Sequence, residues 1–452
     1  MSANGSALVG NARARATERQ LLALALVVVV AAYTLVGLAE AAVVPTSTFT
    51  YAAILLALAV IAHLSVRRFA RLADPVLLPA AFLLNGLGLA LIRRLDFANG
   101  TELALAQTTW TIVGIGAFAL TLIAVPDHRR LTRYRYSAGL AAIILLLLPL
   151  LPIVGYEVNN ARLWVNLGLV SFQPGEFAKL AMVIFLAGYL EEKRTLLSVA
   201  TTRFGPFLIP SARHLAPVVV AALGGIGVLV FQKDLGSSLL FFGVFIVMLY
   251  ISTGRAAYPA IGILAFLAGA WFAYLLFSHV RVRFNIWLDP WSDLHGSGWQ
   301  IAQSLFALGT GGVTGTGLGL GHPEIPEAAT DAIFAVLGEE LGLLGTTAVL
   351  TSFLLVVTRG YKAAMTSRDE VGTLLAGGLA SILALQVFVI VGGITRLVPL
   401  TGVTLPFVSY GGSSLVGNYL LLALLVRVSD AARQTLQVSS GAPVEQARNT
   451  GP

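Results

Sequence analysis

The chain is 452 residues long, 57% hydrophobic and only 11% charged, with a net charge of +7, no cysteine and a mean hydropathy of +0.84. That balance excludes a water-soluble domain, and the lack of cysteine excludes disulfides, thiolate nucleophiles and sulfur-bound metals. The basic residues are scattered over short connections between apolar runs, which excludes a nucleic-acid face and fits membrane topology.

Apolar runs long enough to cross a bilayer fall near residues 21–38, 50–66, 75–92, 107–125, 137–153, 175–190, 215–231, 236–252, 258–279, 331–358, 371–394 and 404–428. Inside lipid only helices and closed barrels satisfy their own backbone, and continuous rather than alternating runs select helices. The expected fold is an all-α polytopic membrane protein of about 12 transmembrane helices, between small polar tails at 1–20 and 431–452 that read as disordered. Arg13, Arg15 and Arg19, an apolar run and then Ala39-Glu40-Ala41 have the outline of a signal peptide, but the run is too long for one and reads as an uncleaved anchor. With both termini on one side, 21 Lys/Arg residues share that side, seven lie opposite and Lys179 falls within a span. The bias places the termini in the cytoplasm and the connection at 280–330 outside the cytoplasmic membrane.

Three connections, 154–174, 191–214 and 280–330, exceed the length of an ordinary loop. The first runs into QPGEFAKLAMV, where Glu176 and Lys179 sit three residues apart on one helical face and can neutralise each other. Two readings stay open for them: an ion pair that fixes the helix, or charges lining a polar cavity. Asp234, followed by Gly236 and Ser237, is placed to cap the next helix. The most polar stretch is RVRFNIWLDPWSDLHGSGWQ, 281–300, whose acids, arginines and tryptophans serve no purpose in hydrocarbon. Asp289 precedes Pro290 and reads as a turn or cap residue. Asp293 has no such explanation and is the candidate general base for a hydroxyl nucleophile, with His295 a weaker competitor.

Next, IAQSLFALGTGGVTG brings Ile301, Leu305, Phe306 and Leu308 to helical spacing, as a short helix lying in or re-entering the outer leaflet. The glycines from Gly315 to Gly321 lack the ending of a phosphate loop and read as tight turns. Of Glu339 and Glu340, adjacent acids within a span, at least one is expected to pair with a group from another helix. PLTGVTLPFVSYGGSS, 399–414, opens the last span with prolines, hydroxyls and paired glycines, as an interrupted or closely packed helix beside a cavity.

Together, NNARLWVNLGLVSFQPGEFAK (159–179), FQKDLGSS (231–238), WLDPWSDLHGSGWQIAQSLFALGTGG (287–312), IPEAATDAIFAVLGEELGLLG (325–345) and PLTGVTLPFVSYGGSS (399–414) resemble the shape, elongation, division and sporulation (SEDS) family of bacterial membrane proteins, which contains RodA and FtsW. The blocks follow the family's order from about residue 75 to 430, and the RodA branch is favoured. The resemblance implies a ten-helix core preceded by two extra helices at 21–74. It implies an inverting peptidoglycan glycosyltransferase that polymerises lipid II at the outer membrane face and releases undecaprenyl pyrophosphate. It also implies that Asp293 is the essential carboxylate, and that Arg162, Gln173, Glu176, Lys179, Asp234, Ser409, Tyr410, Gly411, Gly412 and Ser413 line the central, substrate-binding cavity. A divalent cation (Mg or Mn) on the pyrophosphate, no organic cofactor, a class B penicillin-binding transpeptidase and other elongation or division proteins complete the expectation.

The sequence departs from the usual pattern where Lys233 stands for proline, Gly175 for serine, Trp299 for tyrosine, and Ala329 and Ala332 for the His and Phe that flank Thr-Asp. Two other functions suit such a chain. One is a lipid II flippase, against which no repeat relates the two halves; the other is a non-catalytic scaffold of the cell-wall machinery, which has no use for Asp293.

Overall fold

The structure, a computed structural model, describes residues 2–41, 44, 46–158, 161–166, 168, 171–198, 202–204, 207–209, 227, 233–322 and 324–440. Its helices are α1 (Ser2–Ala41), α2 (Ser47–Phe69), α3 (Leu77–Asn99), α4 (Leu103–Ala124), α5 (Arg135–Leu147), α6 (Pro174–Ser198), α7 (Leu235–Thr253), α8 (Ala257–Leu276), α9 (Ser278–Leu288), α10 (Trp299–Gly311), α11 (Ile333–Thr366), α12 (Glu370–Ile394) and α13 (Gly412–Ser440). Among the described residues ten segments are long and apolar enough to cross a membrane: α1 to α4, α5 with its flanking 3-10 turns, α7, α8, α11, α12 and α13. The expected sixth span is present as α6, with 25 residues and a length of roughly 37 Å. Charges at both its ends, Glu176 and Lys179 at one and Glu191 to Arg194 at the other, make it more polar than the rest. The expected seventh span, 215–231, lies outside the described residues except for Gly227.

Helices α3, α12 and α13 form the buried centre, while α8 presents Leu264, Trp271 and Phe272 outward, as a lipid-facing helix does. Lipid supplies no hydrophobic drive between helices, so close backbone approach carries the packing. At Gly88 of α3 a Cβ would collide with the Val408 carbonyl, which seats α3 against the segment before α13. Asp96 turns the chain from α3 into α4: its carboxylate accepts from the Thr101 hydroxyl (2.6 Å) and from the amides of Leu103 (2.8 Å) and Ala104 (2.7 Å).

Helix α11 breaks at Gly342, whose φ of 64° and ψ of −166° are open to glycine and costly for other residues. Beyond the break the amides of Leu343 and Leu344 donate to the carbonyls of Gly312 (2.9 Å) and Val313 (3.1 Å). Just before it, Glu340 pairs with Arg94 of α3 (3.1 Å) and accepts from the Gly319 amide (2.9 Å), while Glu339 accepts from the His322 amide (2.9 Å). The cross-helix partner expected for these acids is therefore Arg94, and both hold the glycine-rich turns in place.

Several connections differ from the reading of the sequence. The stretch at 154–174 contains a three-stranded antiparallel sheet, β1 (Gly155–Val158), β2 (Ala161–Asn166) and β3 (Ser171–Phe172), with Val165 opposite both Gly155 and Phe172. Its strands are too short, and too little buried apart from Val165, to show a two-residue period. Of the connection at 191–214, α6 takes the part up to Ser198, and a hairpin of β4 (Thr202–Phe204) and β5 (Phe207–Ile209) follows. The tails read as disordered are helical from Ser2 and through Ser440, in keeping with their alanine, arginine and glutamine content. Helix α10 buries Ile301, Ser304, Ala307 and Gly311 against α11 and exposes Phe306, so its stripe faces protein.

Candidate active site

Helix α6 starts at Pro174, whose fixed φ suits a first helical position, so Glu176 and Lys179 fall in its opening turns one above the other. Both are 5% exposed. Lys179 Nζ lies 2.8 Å from Glu176 Oε2 and donates to Gln386 Oε1 of α12 at 3.4 Å, and Gln386 Nε2 donates in turn to the Thr404 carbonyl at 2.9 Å. Asp234 caps α7 as expected, accepting from the Ser237 amide at 2.9 Å. Burial pushes its carboxyl above the ordinary range, against the pull of the Ser237 donors and of Arg283. Asp234, Gln173 and Gly175 line one small cavity with Leu146, Pro149 and Leu163. The structure thus brings Gln173, Glu176, Lys179 and Asp234 together.

Residues 399–411 are irregular and α13 begins at Gly412, so the hydroxyl and glycine block precedes the last helix and does not interrupt it. Ser409 Oγ donates to the Thr330 carbonyl (2.5 Å) and accepts from the Leu405 amide (2.8 Å), and the Tyr410 amide donates to the Ala329 carbonyl (2.7 Å). Gln107 of α4, fully buried, holds the block with both ends of its side chain: Nε2 donates to the Ser409 carbonyl (3.1 Å) and Oε1 accepts from the Gly411 amide (3.2 Å). Ser413 Oγ accepts from the Gln173 amide at 2.9 Å, joining α13 to the start of α6. Ser409, Gly411 and Ser413 therefore shape the site through backbone bonds, a role their small polar side chains suit.

Asp293 ends a 3-10 turn, Pro290–Asp293, which Asp289 caps by accepting from the Trp291 amide at 3.1 Å, the role read for it. Asp293 is exposed, and its Oδ2 accepts from the amide and the hydroxyl of Ser297, each at 2.8 Å. Those two donors hold its carboxyl below the ordinary range, so it is ionised at neutral pH. The turn is fastened to the polar segment below. Trp287 Nε1 donates to the Arg396 carbonyl (3.0 Å), and Arg396 Nε donates back to the Trp287 carbonyl (3.2 Å). Arg283, earlier on α9, reaches the carbonyls of Leu400 (3.2 Å) and Thr401 (2.9 Å). Ser297→Ala removes one donor from Asp293, so the acid limb of the pH–activity profile is expected to move up towards the ordinary aspartate value of about 3.9. A pH–rate series checks this, and an unmoved limb would show that the hydroxyl does not tune the carboxylate.

Asp331, between α10 and α11, faces the same region. Its Oδ2 lies 3.4 Å from where a Cβ of Gly402 would stand, with the Arg283 guanidinium 3.9 Å from that point. Burial and then the neighbouring Glu327 push its carboxyl up to about 7, against Arg283. Neither Asp331 nor Arg283 was singled out from the sequence. The available signal was an acid directly before a span with no basic residue near it in the chain. The unfolded carboxyl titrates at about 3.9 and the folded one at about 7, so the fold favours the neutral form. That stabilisation is complete at low pH and is lost as pH rises from about 4 to about 7. Asp331→Asn is expected to flatten this part of the melting temperature against pH, which thermal scans across that range measure.

Arg162 does not join the assembly, contrary to expectation. It lies exposed on β2 with Nε 3.9 Å from Glu157 Oε2, while β2 turns Val165 inward. Lys233, where proline is usual, has a φ of 63°, a conformation closed to proline. Among the described residues no group of three or more His, Cys, Asp or Glu side chains could hold a metal ion.

Residues 76–434 match the cell cycle protein family of FtsW, RodA and SpoVE. The chain belongs to that family. It is 46% identical over 431 residues to the peptidoglycan glycosyltransferase RodA of Mycobacterium tuberculosis, covering 94% of this chain and 92% of that one. Stage V sporulation protein E of Bacillus subtilis is 35% identical over 75% of this chain and 90% of its own. Among solved structures, a chain of a peptidoglycan synthase complex that coordinates polymerization and crosslinking superposes with a TM-score of 0.65 at 28% identity, covering 80% of this chain and 99% of that one. RodA of Thermus thermophilus superposes with a TM-score of 0.54 at 27% identity, covering 79% and 96%. The mycobacterial alignment is long enough to reach into the residues before 76, whereas these two solved structures each leave about a fifth of this chain without a counterpart.

Proposed function

We infer that this chain is a peptidoglycan glycosyltransferase of the cell-shape or division machinery, RodA-like, with lipid II as donor and acceptor. The observation that carries the reading within the molecule is the ionised, exposed Asp293 on a turn clasped through Trp287 and Arg396 to the polar segment beneath it. The acceptor sugar's 4-hydroxyl attacks the anomeric carbon of the donor, the new glycosidic bond forms, and the bond to undecaprenyl pyrophosphate breaks. The hydroxyl proton passes to the carboxylate of Asp293, whose Oδ2 is held in place by the two Ser297 donors. The leaving pyrophosphate needs positive charge, and Arg283, set among Asp234, Asp331 and the carbonyls of 400–401, is the guanidinium nearest this polar row. Gln173, Glu176, Lys179 and the Ser409–Ser413 block form its floor.

The Lys/Arg bias supports both termini on the cytoplasmic side of the cytoplasmic membrane, with the Asp293 connection outside. The synthase complex among the similar structures supports a class B penicillin-binding transpeptidase as partner, alongside other elongation or division proteins. The test is glycan-strand formation from purified lipid II by the full chain with its cognate transpeptidase, with moenomycin present to silence contaminating polymerases of the other type. Polymer supports the enzyme. No polymer, together with lipid II crossing proteoliposome membranes, would replace it with the flippase.

A further inference from the structure

We propose that α1 and α2 hold an anionic membrane phospholipid, its headgroup phosphates in a basic crevice and an acyl chain along α1. The crevice, of about 720 Å³, is lined by Arg15, Arg19, His63, Arg67, Arg68 and Arg71. Glu18, the acid among them, is fully buried and already engaged by Arg15 and by His63 Nδ1 at 2.7 Å. Arg68 lies over the Phe69 ring at 5.4 Å. Among the described residues the side chains of Arg19, Arg67 and Arg71 have no hydrogen-bond or ion-pair partner. Guanidiniums gathered around one opening without a counter-ion repel each other, and their planar forks match phosphate oxygens. Three of them exceed the charge of a single phosphodiester and favour a headgroup with two phosphates.

A soluble anion would need only the crevice. The face of α1 that carries Arg15 and Arg19 continues into an apolar recess lined by Leu26, Val30, Ala31 and Thr34. The spacings from Arg19 to Leu26, Val30 and Thr34 keep these residues on one side of the helix. From Arg19 to Thr34 the helix rises roughly 22 Å, about the reach of an acyl chain. Nor is this the polymerisation site. Arg15 and Arg433 both donate to the Ala73 carbonyl, so the crevice adjoins the far end of α13 from Gly412, roughly 32 Å away along that helix. That separation is about one bilayer core, which puts the two sites at opposite membrane surfaces.

Native mass spectrometry of the delipidated full chain, titrated with diphosphatidylglycerol or phosphatidylcholine, tests the proposal. Wild type is expected to retain diphosphatidylglycerol selectively. Arg19→Gln, Arg67→Gln and Arg71→Gln together are expected to weaken retention by about tenfold or more. Replacing the exposed Arg130, Arg133 and Lys362 by Gln should leave it unchanged. Equal retention by wild type and the crevice variant, or equal retention of phosphatidylcholine, overturns the proposal. So does inorganic pyrophosphate binding as tightly as the lipid, which means a headgroup-only site, or selective displacement by undecaprenyl pyrophosphate, which means a substrate-lipid site. If the triple variant does not fold, the wild type still decides: raising NaCl from about 0.1 to about 0.5 M should release the lipid, and salt-insensitive retention overturns the proposal.

Discussion

Asp293→Ala is expected to lower polymer formation by about a hundredfold to ten-thousandfold, the range spanned by loss of a positioned proton acceptor, while the protein stays folded. The fold is spared because the carboxylate is exposed and its hydrogen bonds go to Ser297, in the same turn. Surface changes away from caps and cores seldom exceed about half a kcal/mol. Asp293→Asn separates two ways of needing this residue. The amide oxygen still accepts from Ser297 and preserves the turn but cannot take a proton, so a base predicts equal loss in both variants. A residue needed only for the turn predicts activity close to wild type in the asparagine variant. Lipid II polymerisation, at matched binding of the transpeptidase, makes the comparison. Wild-type rates in both variants would remove Asp293 from the mechanism and leave the row of Asp234, Arg283 and Asp331 as the next place to look.

The spans were legible because lipid imposes a rule the chain cannot escape: about 20 apolar residues per helix, with few charges. The caps at Asp234 and Asp289 were legible for a similar reason, since a short acid before a helix start or a proline has few other uses. What escaped depends on partners distant in the chain. Gln107 gains its meaning from Ser409 and Gly411, and Asp331 from Arg283 and Gly402, so neither leaves a local pattern. Arg162 was carried into the cavity by its motif, but the strand beneath it exposes it. The three-stranded sheet was hidden for want of length. Tertiary pairing therefore decided the features that local periodicity could not reach.

The Glu176–Lys179 pair is where the sequence left two readings open, and stability and activity together separate them. Lys179→Met leaves the Glu176 carboxylate 5% exposed without its ion partner, and Gln386 Oε1 without its donor. Breaking one side of a buried pair costs about 3–5 kcal/mol, so a large fall in thermal stability is expected, and Glu176→Gln should cost less because a neutral amide can still accept from lysine. Replacing both, with Glu176→Leu added to Lys179→Met, removes the stranded charge and should restore most of the stability, as replacement of buried pairs by apolar groups of like volume often does. Activity then carries the distinction. Glu176 lies close enough to Asp234 to bear on its ionisation, and Asp234 lines one small cavity with Gln173. The double variant is therefore expected to fold well and polymerise poorly, by about tenfold or more, the scale of one lost charge-assisted hydrogen bond. A double variant that regains both stability and rate would make the pair a structural pin for α6 and nothing else.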